Sequence, residues 1–403
     1  MPQSTLALLN SLRDKANKDG INMYLTGGSV RDLLLTQPFQ DLDIVLEHDA
    51  PRFAAKVAKE LFGTVQHHAP FGTATVTINN YKIDFSTARQ EIYRRPGSLP
   101  DISPSSIKED LERRDFTINS VAICLSEENF GCIHDPHGGL DDIQSKTLRI
   151  LHPKSFIDDP TRILRAIKYE KRLKFKIDSD TYKHLIGAIK SQMLNAVSSD
   201  RLRNELSLLM NEPDPISALL RASQLGVFRS IHPDFGIDSQ ISKLFHLEPQ
   251  PLFVYLAALC YNLDQYSGEV VIKRLNMPTK WINIVRDTIL IRCKEEFLSK
   301  HKISNIDIFN TLDKLSNASI EAAFHLSASS SFSNNTSLYL KKLHQLKALI
   351  TGDDLINIGV PKGPLIGEIL HQVQTSNLEN MDSSKTDQLL LAKQLLERLS
   401  TEH

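Results

Sequence analysis

Residues 25–46 read LTGGSVRDLLLTQPFQDLDIVL. Leu25 and Thr26 close a strand-like MYLTG, Gly27-Gly28 makes a turn, a short amphipathic stretch follows, and DLDIVL alternates acidic with apolar, β-branched residues, which reads as a second strand. The two glycines let the backbone approach an anion closely, and a helix starting at Ser29 would turn its N-terminal amides toward that anion. Asp41 and Asp43 are two apart, so on a strand both carboxylates project from one face while Leu42 and Ile44 project from the other. Two like charges on one face repel unless a divalent cation lies between them. Taken alone, Asp41 also reads as a turn residue entering the strand and Asp43 as an exposed edge position.

On the N-terminal side, Leu6, Leu9, Leu12 and Ala16 fall on one helical face and Gly20 is the stop. On the C-terminal side, Phe53–Phe62 reads as a helix, and ATVTIN and YKIDFST, spanning Ala74 to Thr87, read as strands. Asp84 stands inside the apolar YKIDF, where a lone aspartate is disfavoured. Three acids on neighbouring strands after a Gly-Gly turn suit a two-metal phosphoryl-transfer site, in which one Mg²⁺ activates a hydroxyl and another holds a triphosphate. After Gly138-Gly139 strand signals fade, and helical periodicity governs from Pro160 onward, with breaks at Pro213, Pro233, Pro251, Pro278 and Gly352. The expected organisation is therefore α+β: a mixed-sheet unit over residues 1–135 and a mostly helical remainder. The Ser/Asn-rich stretch Ser327–Ser337 is expected to be a mobile connection.

Composition removes several classes of function. The 403 residues carry 47 basic and 48 acidic side chains, so a basic surface for a polyanion must be local. One such concentration is present: Arg162, Arg165, Lys168, Lys171, Arg172, Lys174 and Lys176 stand against Glu170 alone between Thr161 and Lys176, a stripe suited to nucleic acid. Four cysteines without a CxxC pair or zinc-finger histidines indicate neither a disulfide framework nor structural zinc, and a reducing cytoplasm is the expected location. The longest apolar run, Leu252 to Tyr261, is half of what a membrane helix needs, roughly 20 residues, so no membrane partner is expected.

Four segments then occur in a telling order: GGSVRDLLL with DLD, RRDFTINSVAI at 113–123, DPHGGLDDI at 135–143, and DDPTRILRAIKYEKRLKF at 158–175. Together they resemble the successive motifs of the class II tRNA nucleotidyltransferases, the CCA-adding enzymes and bacterial poly(A) polymerases of the polymerase β superfamily. The resemblance covers about residues 22–210. It implies a polymerase β-like nucleotidyltransferase head over residues 1–135, followed by an all-helical neck over 136–210 and an all-helical body and tail over 211–403. It also implies that Asp41 and Asp43 are the metal-binding pair, that Asp84 is the third acid, and that the cofactor is Mg²⁺. Gly27, Gly28 and Arg31 would meet the nucleotide together with Arg113 and Arg114, whose adjacent guanidinium groups suit a triphosphate. Asp115 and Asn119 would either bond the ribose or hold their own loop.

The segment DDPTR at 158–162 resembles the family's EDxxR motif, with Asp158 in place of the glutamate. Asp159 and Arg162, followed by Arg165 on the same nucleotide-binding segment, would select the base. Cytosine and adenine both set an exocyclic amino donor beside a ring-nitrogen acceptor, whereas uracil and guanine present the opposite polarity. A carboxylate and a guanidinium three apart on one helix face would match the first pair.

The implied activity is template-independent addition of C and A to the 3′ end of tRNA, with the 3′-hydroxyl as nucleophile and pyrophosphate released. ATP, CTP and the tRNA 3′ end are the partners, and no protein partner is implied. CC-adding, A-adding and poly(A)-adding relatives share these motifs. The ending LAKQLLERLSTEH lacks a strongly basic extension, which favours tRNA over poly(A) synthesis. A non-catalytic nucleotide- or RNA-binding descendant would have lost a metal carboxylate, and all three are present. Glu91–Asp110, with three prolines, a glycine and four serines, is expected to be a surface loop able to move. Because CC-only members of the family lack such a loop, addition of the terminal A is expected, with full CCA addition preferred over A-only.

Overall fold

The apolar spacing at the N-terminus produces helix α1 (Gln3–Lys18), which buries Leu9, Leu12 and Ala16. Strand β1 (Met23–Thr26) follows, then α2 (Gly27–Leu34), which starts at Gly27, two residues before the expected Ser29. Gly27 takes φ +64, so the first helical residue already carries the turn. After these come β2 (Asp41–Leu46), α3 (Ala50–Glu60), β3 (Thr64–His68), β4 (Thr73–Ile78) and β5 (Tyr81–Thr87). Strand β3, TVQHH, escapes a sequence reading because it lies on a sheet edge and is mostly exposed, so it needs no apolar alternation.

Next are β6 (Arg89–Ile92), β7 (Asp101–Pro104), α4 (Ile107–Glu112), β8 (Ala122–Cys124) and β9 (Ile133–His134). The main sheet has the order β3-β4-β5-β2-β1-β8-β9. Its β2–β5 pair is parallel, and the other pairs are antiparallel. Leu42, Ile44, Ile83 and Phe85 point into the large core under α1 and α3. Val45 lies on the opposite face, in a smaller core with Ile107 and Leu111 of α4.

Two stretches differ from expectation. Glu91–Asp110 is not an open loop: β6 and β7 pair antiparallel from Arg89↔Pro104 to Ile92↔Asp101, and α4 begins within the stretch. Its prolines fall in the turn and at strand ends, where a missing N–H costs no ladder bond, and Ser106 forms a capping box with Glu109. Ser327–Ser337 is largely helix, within Ser330–Lys341, because Phe332, Thr336 and Tyr339 make a buried stripe that outweighs the polar composition.

The helical part of the first unit contains α5 (Gly139–Gln144), a short parallel pair of β10 (Thr147–Leu148) with β11 (Lys176–Ile177), α6 (Ser155–Asp158), α7 (Arg162–Arg172), α8 (Ser179–Lys190), α9 (Ser199–Met210) and α10 (Pro215–Gln224). This computed structural model describes residues 2–37, 41–68, 72–79, 81–237, 251–346, 348–379 and 383–401. They divide into two compact units, Met1–Ser230 and Ile231–His403. Among its described residues the second unit's regular elements are all helices, with Leu252–Cys260, Thr279–Cys293 and Asn317–Leu326 packed together. Among the described residues no helix is long and apolar enough to cross a membrane.

Helix α5 is held against the sheet-bearing part by a glycine. A Cβ on Gly139 would come 2.3 Å from the carbonyl oxygen of Thr117 and 2.6 Å from a methyl of Val121. Gly187, inside α8, has open space instead. Gly139→Ala should therefore lower stability by about 1–3 kcal/mol, and Gly187→Ala should raise it by about 0.5–1 kcal/mol. Urea-unfolding midpoints of the two variants, moving in opposite directions, check this packing.

Candidate active site

Parallel pairing of β2 with β5 sets Asp43 directly beside Asp84. Both side chains leave the sheet opposite to Leu42 and Ile83. Burial pushes the Asp43 carboxyl pKa up, Arg114 pulls it down, and Asp84 and Asp41 push it up again. Asp84 accepts from Thr75 Oγ1 across β4. Asp43 and Asp84 line a cavity of about 900 Å³, while Asp41, at the exposed start of β2, does not. Ser29 ties this strand to α2: its hydroxyl donates to Asp41 O at 3.1 Å and accepts from Asp43 N at 2.7 Å.

Among the described residues no three His, Cys, Asp or Glu side chains gather into a metal cage. Two hard oxygen donors beside a cleft are nonetheless the donor set that Mg²⁺ uses, since it keeps several waters and takes one or two carboxylates together with substrate phosphates. The like-charged, largely buried Asp43 is the group such a cation would relieve. The residues present fit the ion.

The guanidinium groups around the carboxylates are already partnered. Asp110 of α4 is fully buried. It accepts from Arg113 Nη2 at 2.6 Å and from Arg114 Nη2 at 2.9 Å. Burial opposes the charge of Asp110, yet Arg114 and Arg113 together hold its carboxyl below the usual range. Arg113 also donates to Glu91 at 3.0 Å, and Arg114 to Thr26 Oγ1 at 3.0 Å. A Cβ on Gly27 would sit 2.8 Å from Arg114 Nη1, so that glycine makes room for the guanidinium. Arg31 donates to Asn119 Oδ1 at 2.7 Å and lies over the Tyr169 ring.

Asp115 accepts from Arg165 Nε at 2.8 Å, from Asn119 Nδ2 at 3.0 Å and from Phe116 N at 2.9 Å. Burial works against its charge, but Arg165 chiefly, with Asn119 and Arg162, holds the carboxyl well below the ordinary range. Both Asp115 and Asn119 therefore make bonds that hold the loop.

Asp159 and Arg162 do not share a helix face. Asp159 ends α6 in an extended conformation (φ −128, ψ 91) and α7 begins only at Arg162. Pro160 is the reason, because it drives the preceding residue out of the α region. Both side chains nevertheless line the cavity, as do Arg165, Arg201, Asn204 and Glu205. Arg162 donates to Ser155 Oγ at 2.6 Å and to the Arg113 carbonyl at 2.8 Å, fastening α7 to the arginine pair.

The basic stripe of residues 161–176 is not one exposed surface either. Arg162 and Lys168 are buried, Arg165 pairs with Asp115, and Arg172 pairs with Glu212. Spacings of three residues turn Arg162, Arg165 and Lys168 inward on α7, leaving Arg172, Lys174 and Lys176 exposed.

A family model, Poly A polymerase head domain, matches residues 23–149. The A-adding tRNA nucleotidyltransferase of Halalkalibacterium halodurans is 34% identical over 409 residues, which is 96% of this chain and 92% of that protein. The A-adding tRNA nucleotidyltransferase of Geobacter sulfurreducens is also 34% identical and covers 98% of this chain, but the chain spans only 47% of that relative's length. Among solved structures, the Thermotoga maritima CCA-adding enzyme complexed with tRNA matches with a TM-score of 0.77 and 28% identity, over 98% of this chain and 96% of that one.

Removing the Asp110 charge should be costly, since it leaves two partly buried guanidinium groups without their shared anion. Asp110→Asn is expected to destabilise the protein by about 3–5 kcal/mol. The sign of the pH dependence follows from the depressed carboxyls of Asp110 and Asp115. Their contribution is fully present above the unfolded-state value, about 3.9, and is lost as pH falls through the lower folded-state values. Urea midpoints compared at neutral pH and below about pH 4 should therefore drop less steeply with acid in Asp110→Asn than in the natural protein.

Proposed function

Since the chain belongs to the tRNA nucleotidyltransferase family, we propose that it extends the 3′ end of tRNA without a template, adding the terminal A and, in the fuller reading, the two preceding C residues. The carrying observation is that one cavity is lined both by Asp43 and Asp84 of the sheet and by Asp159 and Arg162 of the helical segment. Phosphoryl-transfer groups and base-reading groups thus face a single nucleotide-sized space.

In this reading the nucleotide's phosphates lie by Gly27 and Gly28, where a Cβ on Gly28 would stand 3.3 Å from Asp43 Oδ2. Arg31, Arg113 and Arg114 face their charge. These arginines enter the reaction already oriented by Asn119, Glu91 and Asp110, so little reorganisation is needed as charge shifts toward the leaving group. Asp43 and Asp84 would hold Mg²⁺, joined by Asp41 from the exposed start of the same strand face, and the ion would supply charge neutralisation at the triphosphate and a more acidic hydroxyl. The tRNA 3′-hydroxyl gives up its proton to solvent as its oxygen forms a bond to the α-phosphorus, the bond from that phosphorus to the bridging oxygen breaks, and pyrophosphate leaves with the electron pair. Asp159 accepts from the exocyclic amino group of adenine or cytosine, and Arg162 donates to the neighbouring ring nitrogen.

A-only addition is the second reading, favoured by the two A-adding relatives at 34% identity. Full CCA addition is supported by the likeness to the Thermotoga CCA-adding enzyme. The readings separate on tRNA transcripts ending at the discriminator base, at C and at CC, each supplied with CTP, ATP or both. Extension of all three to CCA supports the fuller reading; extension of the CC-ending transcript alone, with ATP alone, supports the second. No extension of any of them would overturn both. With the active substrate, Asp43→Asn should lower the rate by at least about 10²-fold, and Asp159→Ala should relax discrimination against UTP and GTP more than it weakens triphosphate binding.

A further inference from the structure

The turn joining β6 to β7 reaches the base-reading end of the cavity. Ser98 N donates to Arg95 O at 3.2 Å, and Gly97 has φ +69. With Pro96 and Gly97 at its two central positions, the turn has the type II pattern. Gly97 N donates to the Asp158 carbonyl at 3.2 Å. The fit is close enough that a Cβ on Gly97 would stand 2.7 Å from the carbonyl oxygen of Ala196.

Arg201 of α9 fills the remaining gap. Its Nη1 donates to Gly97 O at 3.0 Å and its Nη2 to Asp159 Oδ1 at 2.7 Å. The same Oδ1 accepts from Thr161 N at 3.1 Å and from Thr161 Oγ1 at 2.7 Å. Three donors converge on one carboxylate oxygen, and among the described residues no donor is recorded at Oδ2.

We propose that Arg201 is a positioning residue that couples the β6–β7 turn to base choice: it engages Asp159 Oδ1 and so presents Oδ2 to the exocyclic amino group of the incoming base. The proposal rests on the base-selecting reading of Asp159. A guanidinium suits the task because its planar fork can serve a backbone carbonyl and a carboxylate in fixed directions, which a lysine ammonium cannot do. Without Arg201, Thr161 alone grips Oδ1, and Thr161 belongs to the same local turn as Asp159. The carboxylate then loses the tether to the turn and to α9 that Arg201 supplies.

The test compares incorporation of ATP, UTP and GTP on CC-ending tRNA by the full chain and by Arg201→Ala, Arg201→Lys, Gly97→Ala, Gly97→Ala combined with Arg201→Ala, and Asp159→Ala, with thermal melting of each. Arg201→Ala should lower the preference for ATP over UTP about tenfold, the value of one oriented hydrogen bond, with KM for ATP moving less than the preference. Arg201→Lys should restore little of it. Gly97→Ala changes neither partner of the ion pair, yet should shift preference the same way, and the double variant should be no worse than Arg201→Ala. Unchanged preference in Arg201→Ala, with only a lower melting temperature, overturns the coupling, as does a double variant whose losses multiply. If Asp159→Ala itself keeps the natural preference, the base-selecting reading fails, and that outcome is distinct from the failure of Arg201 alone.

Discussion

Two carboxylates fixed side by side on hydrogen-bonded strands repel each other whenever both are ionised, and the parallel β2–β5 register gives this chain no means of separating Asp43 from Asp84. Much of the first unit can be understood as the containment of that charge. Arg114 is the chief compensating charge, Gly27 vacates the space its guanidinium needs, and buried Asp110 fixes it in place. Asp110 also holds Arg113, whose carbonyl receives Arg162. A strand register thus propagates through alternating anions and cations to the first turn of α7. Each link leaves a charge balanced by a neighbour that itself needs a partner, which is why the network is stiff: removing one member strands the next in a poorly solvated place.

Much of this was legible in the amino-acid order, for identifiable reasons. DLDIVL and YKIDF announce their strands because the acids interrupt apolar alternation, and their common face follows from the period of two. The partners of the arginine pair were legible too, since Asp110 precedes Arg113 and Arg114 by three and four residues, the helical spacing at which such side chains meet. Three acids, Glu109, Asp110 and Glu112, compete there, and only burial chooses among them. Arg201 and Glu205 carried no signal. They reach the cavity from α9, and nothing local marks an arginine as bonded to an aspartate 42 residues earlier.

Where composition and pattern disagreed, pattern governed. Serines and asparagines in Ser327–Ser337 suggested a connector, yet three buried side chains at helical spacing made a helix. Prolines in Glu91–Asp110 suggested a mobile loop, yet each stands where a strand or turn tolerates it, and the result is a hairpin whose turn is bonded to the segment carrying Asp158 and Asp159. The opposite error concerns Asp159 and Arg162: their spacing matched one helix, but Pro160 between them put the first residue outside it. Proline's effect on its predecessor outranks periodicity over so short a span.

The parallel pairing also has a kinetic consequence. Strands β3, β4 and β5 follow one another through short connections and form an antiparallel meander, so their contacts are local. The β2–β5 ladder instead closes a loop of about forty residues, and non-local closures of this kind are slow. During folding the meander is free to form while β2 remains unpaired, and at that stage Asp43 and Asp84 are still apart and do not repel. The chain meets the like-charge contact only when β2 joins the meander that presents Asp84. The connectivity that makes the carboxylate pair therefore also makes its electrostatic cost a late one, met after the local strand contacts that receive β2.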